Sequence, residues 1–213
     1  MSVTPGRPLR KDAARNRALL LEAARDVFAE RGLEASLDEV ARRAGVGVGT
    51  AYRHFANKQE LAAALFADSI DGVIAEAKAA MAIDDPWQSL VFFFESSAER
   101  QARDRGLHEV LMGYEIAHDK QNIMERLAPT VTALFDRARA AGVLRPDVDP
   151  TDSAAVFAML GMAFEMCSAA HPDLWRRYLA IILDGLRATD RGVLPVRALS
   201  FDEVEVSMAA LKH

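Results

Sequence analysis

Residues 36–55 read SLDEVARRAGVGVGTAYRHF, and this stretch constrains the chain more than any other. Ser36, followed three residues later by Glu39, spells a capping box. The hydroxyl accepts from the Glu39 N–H, and the carboxylate reaches back to the Ser36 N–H. Leu37, Val40, Ala41 and Ala44 then give the apolar stripe of a short helix. Gly45 stops that helix, and the next must start within three residues and run to about Phe55. Two short helices joined by a tight glycine turn form a helix-turn-helix pattern. The second helix is poor in apolar residues. Val46, Ala51, Tyr52 and Phe55 can supply its buried side, which leaves Thr50, Arg53 and His54 outward and one face free for a ligand.

The flanks are also helical. Leu19, Leu20, Ala23, Ala24, Val27 and Phe28 repeat at helical spacing from about Arg15 onward, and Arg31-Gly32 ends the run with a basic last turn and a glycine. Asn57 with Glu60 reads as a second capping box, opening a helix through Leu61, Leu65, Phe66 and Ile70 towards Met81. Further along, helices are predicted from Pro86, over Asp104–Met112, over Asn122–Ala141, after the Asp149-Pro150-Thr151-Asp152 cap, and from Leu174 to about Arg187. Residues 189–200 read as a linker before a short terminal helix, Asp202–Leu211. Ala, Leu, Glu and Arg dominate, while 12 glycines and 8 prolines are too few for a fibrous or disordered chain. The fold class predicted is all-α, with about nine to ten helices.

The formal charge of −5 is unevenly spread: residues 1–58 carry +4 and the rest −9. A basic quarter on an acidic body fits a polyanion partner for that quarter, or an ordinary solvated surface. The single cysteine, Cys167, excludes an intrachain disulfide and reads as a small buried apolar group. His108, His118 and His171 have no metal-ligand spacing, so neither metal nor cofactor is expected. No glycine-rich phosphate loop and no catalytic constellation stands out. The N-terminus lacks the apolar core of a signal peptide, and the longest uncharged apolar run, Ala154–Phe164, is 11 residues, too short to cross a bilayer. A cytoplasmic protein with no membrane partner is the simplest expectation.

The run from LLEAARDVFAERG through SLDEVARRAGVGVGTAYRHFANKQEL resembles the N-terminal domain of TetR-family (tetracycline-repressor-like) transcriptional regulators. The segments DRGLHEVLMG, GVLRPDVDPTD and PDLWRRYLAIILDGLRA are similar to one branch of the regulatory domains found in that family. The resemblance implies a homodimer, a three-helix head on double-stranded operator DNA, and a larger helical domain that binds a small-molecule effector. It implies a repressor that the effector releases, with an activator or a corepressor-dependent repressor as alternatives. A helical enzyme or carrier is the remaining reading. The domains expected are a flexible basic arm over 1–14, the DNA-binding domain over 15–60, the effector and dimerisation domain over 61–188, and a linker with a short helix over 189–213.

By the same resemblance the DNA-contacting positions are Ser36, Gly47, Val48, Thr50, Tyr52, Arg53, His54 and Lys58. Hydroxyls and cations suit phosphates, and Arg53 can reach a guanine edge. Tyr52 can instead pack with its hydroxyl at the rim, and His54 can be a solvated ring. Gly47 and Val48 depart from the serine and the polar residue common in the family, and Ala51 replaces a larger apolar residue. Arg7, Arg10 and Lys11 can reach neighbouring phosphates or the minor groove, or stay free of DNA.

Beyond residue 87 the apolar content exceeds what helix stripes need, and Phe92, Phe93 and Phe94 cannot all face one core. An effector pocket is expected from Phe93, Phe94, Leu111, Met112, Met124, Met159, Met162, Glu165 and Met166, because methionine and aromatic surface suits an apolar or aromatic ligand. Plain packing is the alternative for each. A four-helix dimer interface is expected from Phe157, Leu160, Phe164, Trp175, Tyr178, Leu179, Ile182 and Leu186.

Overall fold

A computed structural model describes residues 8–103, 120–167, 171–189 and 192–210. Among them are nine α-helices: α1 (Pro8–Arg31), α2 (Leu37–Arg43), α3 (Val48–His54), α4 (Lys58–Met81), α5 (Pro86–Arg103), α6 (Lys120–Ala140), α7 (Asp152–Glu165), α8 (Leu174–Leu186) and α9 (Phe201–Ala210). A single 3₁₀ turn, Gly32–Glu34, follows α1. The only extended pairing among the described residues is an isolated bridge between Leu144 and Arg187. The helix predicted at Asp104–Met112 lies outside the described residues.

The chain divides into two compact units, with the boundary inside α4 between Ser69 and Ile70. The first unit is a small helical head. Leu20, Ala24, Val27 and Phe28 of α1 close over Leu37, Val40 and Ala41 of α2, Ala51 of α3, and Leu61 and Leu65 of α4. This core runs past residue 60, where the sequence reading ended the domain, because the first two turns of α4 bury their apolar stripe in the head. The arm predicted through residue 14 is also shorter: α1 begins at Pro8. Proline is tolerated in a first helical turn, where its missing N–H would have no partner. The exposed residues 12–15 carry no apolar stripe that would announce a helix.

The second unit holds the rest of α4 and the helices α5 to α9. Its core is aromatic. Phe94 packs against Phe93 at 5.4 Å, Phe157 at 5.5 Å and Phe135 at 6.2 Å between ring centroids. Phe164 meets Trp175 edge-on at 5.7 Å. Of the three consecutive phenylalanines, Phe93 and Phe94 are buried and Phe92 is exposed. The end of α4 is tied down twice. Ser89 donates to the Ala80 carbonyl at 2.6 Å, and the Arg137 guanidinium spans the Met81 and Ile83 carbonyls at 2.9 Å each. After α8 the chain is pinned to the loop before α7. Arg145 donates to the Gly192 carbonyl at 2.9 Å, the Leu194 N–H to Asp147 at 2.6 Å, and the Thr151 hydroxyl to the Leu199 carbonyl at 2.7 Å.

Candidate nucleic-acid interface

The head is assembled from local devices. The Glu39 N–H donates to Ser36 Oγ at 3.3 Å, and the Ser36 N–H donates to Glu39 Oε2 at 2.9 Å, which closes the capping box. At the other end of α2, Gly45 takes φ +65°. Its N–H bonds the Arg42 carbonyl at 3.2 Å, and the Val46 N–H bonds the Ala41 carbonyl at 3.0 Å. This bond pair is a Schellman motif, which needs a residue comfortable in the left-handed region. It reverses the chain tightly enough for Gly47 to cap α3 with its carbonyl, which accepts from the Thr50 N–H at 2.8 Å and the Ala51 N–H at 3.0 Å.

On α3, Ala51 is fully buried and Phe55 follows it into the core. The residues one helical face away, Val48, Gly49, Tyr52 and Arg53, are exposed, whereas Thr50 and His54 are half-buried. Tyr52 is half exposed at 50%, so it does not serve as the buried side of α3. Val46 does pack partly against the core. Lys58 opens α4, next to a cap in which the Glu60 N–H donates to Asn57 Oδ1 at 2.9 Å and the Ala56 N–H to Glu60 Oε2 at 2.7 Å.

Charge separates the cations of this surface. Arg43 forms a two-pronged pair with Glu30 at 3.0 and 2.6 Å, and Arg31 pairs with Glu39. Both are therefore held for the head itself. Among the described residues no carboxylate pairs with Arg53. Ser36 also donates its hydroxyl to Glu39 Oε2 at 3.0 Å, so this side chain is already committed within the capping box.

Two partners escaped the sequence reading. A hydrogen bond to Asp38, then the charge of that carboxylate, pushes the Tyr52 hydroxyl pKa up, which ties the ring to the start of α2. Arg17 of α1 lies over the Phe55 ring at 5.5 Å. Neither contact leaves a signal in local spacing, because both join separate helices.

The second unit rearranges the predicted pocket and interface. Phe93 and Phe94 are core, at 1% and 0% exposure. Met159 and Met162 instead stand out from α7 at 53% and 70% exposure, Met166 just past its end is 60% exposed, and Glu165 is exposed beside them. Leu111 and Met112 lie outside the described residues, and Met124 falls in the first turns of α6. Leu160, Phe164, Trp175 and Leu179, expected at a dimer interface, are buried in the core of their own unit. Phe157, Tyr178, Ile182 and Leu186 are half-buried against the same core. The reason is shared: α7 and α8 are apolar on more than one face, and their largest side chains fill the nearer one. A cleft of about 250 Å³ in this unit lies between α5 and α8 and is lined by Trp87, Val91, Trp175, Leu183 and Arg187 among others. Arg187 stacks on Trp87 at 4.3 Å.

A capped helix, a left-handed glycine turn and a second helix with an exposed polar and cationic face define a helix-turn-helix regulator. Residues 20–65 match the model described as bacterial regulatory proteins of the tetR family, and residues 85–188 match that of the C-terminal domain of SbtR-like transcriptional regulators. A TetR transcription regulatory protein from Mycobacterium vanbaalenii is 37% identical, with a TM-score of 0.64 over 84% of this chain and 99% of that one. A TetR transcriptional regulator from Streptomyces coelicolor is 29% identical, with a TM-score of 0.64 over 81% of this chain and 99% of that one. The chain belongs to the TetR family of transcriptional regulators. A helix-turn-helix transcriptional regulator of Staphylococcus aureus is 44% identical over 54 residues, a match spanning 25% of this chain and 29% of that relative. No described helix is long and apolar enough to cross a membrane.

Proposed function

We propose that the protein is a cytoplasmic, homodimeric repressor that lays α3 in the major groove of its operator and is released by a small effector. The observation that carries this reading is the exposed face of α3, where Arg53 is unpaired among the described residues while its neighbours Arg31 and Arg43 are consumed by carboxylates. In this reading Arg53 reads a base edge, Val48 packs on a thymine methyl, and Thr50, Tyr52, His54 and Lys58 sit on phosphates. Gly47 lets the backbone approach. Ser36 contributes through the cap it builds.

The exposed apolar residues Met159 and Met162 of α7, Met166 at its end and Ile181 of α8 support a two-fold dimer through these helices. A dimer sets two recognition helices roughly 34–36 Å apart, one helical turn of DNA. The α5–α8 cleft, with its tryptophans and arginines, supports an effector with an aromatic or apolar body. Fluorescence anisotropy on fragments tiled across the upstream region of its own gene, at two salt concentrations, tests the reading. One fragment held tightly, and weakened by salt and by Arg53→Ala, is the expected result. Equal, weak binding to all fragments would remove the sequence-reading role.

A further inference from the structure

Helix α4 takes part in both cores. Leu61, Ala62 and Leu65 belong to the core of the head, whereas Ala77 and Ala80 belong to that of the second unit. Within the second unit, α4 meets α5 through an arrangement that neither packing nor capping requires. Glu76 accepts from Arg100 Nε at 2.8 Å and from Arg100 Nη2 at 2.6 Å, both on Oε1. Its other oxygen accepts from Ser97 Oγ at 3.0 Å. The pair is largely withdrawn from water, with side-chain exposures of 26% for Arg100 and 13% for Glu76, and Ser97 is buried. A charge-assisted pair in such surroundings holds its geometry better than a surface ion pair.

Gly72 stands one turn before Glu76 on the same face of α4. An ideal Cβ there would lie 2.3 Å from Arg100 Cζ, 2.5 Å from Nη1 and 2.7 Å from Nε. The guanidinium therefore rests on bare helix backbone, and α4 carries a glycine in its interior despite that residue's poor helix propensity. Gly72 and Glu76 on α4, with Ser97 and Arg100 on α5, form one clamp with a single register. A slide or roll of α4 along α5 breaks the paired hydrogen bonds together, because the carboxylate and its donors are spaced for one alignment only.

We propose that Gly72, Glu76, Ser97 and Arg100 are positioning residues for operator reading, clamping α4 in the register in which a dimer spans both half-sites. This rests on the regulator reading above and deepens it by naming where that register is held. A dimer with loosened α4 helices must order them upon binding two half-sites, so operator affinity falls. Binding to non-operator DNA, which needs no matched spacing, does not.

The experiment compares wild type, G72A, R100A and the G72A/R100A double variant on operator and on non-operator duplex of equal length. The G72A Cβ meets only the far end of the Arg100 side chain and no backbone, and it improves helix propensity, so this variant keeps its fold. Each single variant is expected to lose roughly tenfold in operator affinity, within the usual span of site-to-site coupling, with non-operator affinity unchanged. The double variant is expected to match R100A, since the new methyl meets nothing once the guanidinium is gone. Unchanged operator affinity, additive losses, or equal losses on both duplexes would overturn the clamp. Hydrogen exchange of amides 70–81 separates the two readings. If wild type holds no fragment, the regulator reading fails by itself, and the clamp stands or falls on whether exchange over 70–81 speeds up in R100A.

Discussion

The two units of this chain spend their apolar residues differently. The head builds its core from alanine, valine and leucine, with Phe28 and Phe55 as its buried aromatic rings. Small side chains let short helices approach closely, and α2 and α3, of seven residues each, could not bury much more. The second unit stacks Phe93, Phe94, Phe135, Phe157, Phe164 and Trp175 across longer helices. Function follows the same division. In the head, backbone devices decide which side chains face outward. In the second unit, volume decides, and what does not fit the core is left at the surface.

The largest test of that contrast is Phe94→Ala. Phe94 is fully buried against three other rings, so its removal is expected to cost about 3–5 kcal/mol, read as a lower denaturant midpoint for the second unit. A residue that lined a ligand cavity would tolerate the change. Next comes Met162→Glu. Met162 is 70% exposed, so the monomer is expected to keep its thermal midpoint. The dimer proposed above would carry the new carboxylate at its two-fold contact and is expected to dissociate in sedimentation experiments, because like charges at a desolvated contact cost several kcal/mol. A dimer that survives Met162→Glu would move the interface elsewhere.

These tests also mark where the sequence was readable. In the head, Ala51 inward and Arg53 outward followed from spacing, since Ser36, Glu39, Gly45 and Ala51 act on neighbours within a few residues, whereas Thr50 and His54, expected outward, are half-buried and Tyr52, expected on the buried side, is exposed. The start of α1 was missed because Pro8 and a polar first turn resemble an arm. Tyr52 was left between two readings because its tie to Asp38 crosses from one helix to another. In the second unit the methionines and phenylalanines shared one apolar label. Phe93 and Phe94 became core and Met159, Met162 and Met166 surface because rigid rings fill a core more fully than flexible thioether chains. The Arg100–Glu76 clamp joins residues 24 apart, and only Gly72, an unforced glycine inside a helix, hinted at a close approach.

Two single substitutions sharpen the head's side of the comparison. Arg53→Ala is expected to weaken operator binding by about 1–3 kcal/mol without moving the thermal midpoint. Ser36→Ala is expected to do the reverse. It removes the cap of α2 and costs about 1 kcal/mol of stability, with operator affinity changing only as far as α2 frays. If Ser36→Ala weakened operator binding as much as Arg53→Ala at unchanged stability, the hydroxyl would be a DNA contact rather than a cap.

The smallest effect sets one capping box against another. Ser200 and Glu203 cap α9 as Ser36 and Glu39 cap α2: the Ser200 N–H donates to Glu203 Oε2 at 2.8 Å, and the Glu203 N–H to Ser200 Oγ at 3.3 Å. Two hydrogen bonds from Arg197, then the Ser200 N–H, hold the Glu203 carboxyl down at about 2, from an ordinary 4.5. Its contribution is present above about pH 4.5 and is lost as pH falls towards about 2. Glu39 is lowered as well, mainly by the Ser36 N–H and hydroxyl. The difference lies in what each helix rests on. Leu37, Val40 and Ala41 bury α2, whereas Phe201 and Val206 of α9 stay 42% and 72% exposed. Acidification is therefore expected to lower the protection of the Val204 amide, taken as its exchange rate relative to the intrinsic rate at each pH, before it lowers that of the Val40 amide; the first bonds the Ser200 carbonyl at 2.9 Å and the second the Ser36 carbonyl at 3.2 Å. Glu203→Gln should bring the same loss at neutral pH at Val204 alone. Equal loss at both amides would mean that burial beneath a cap adds nothing to its resistance to acid.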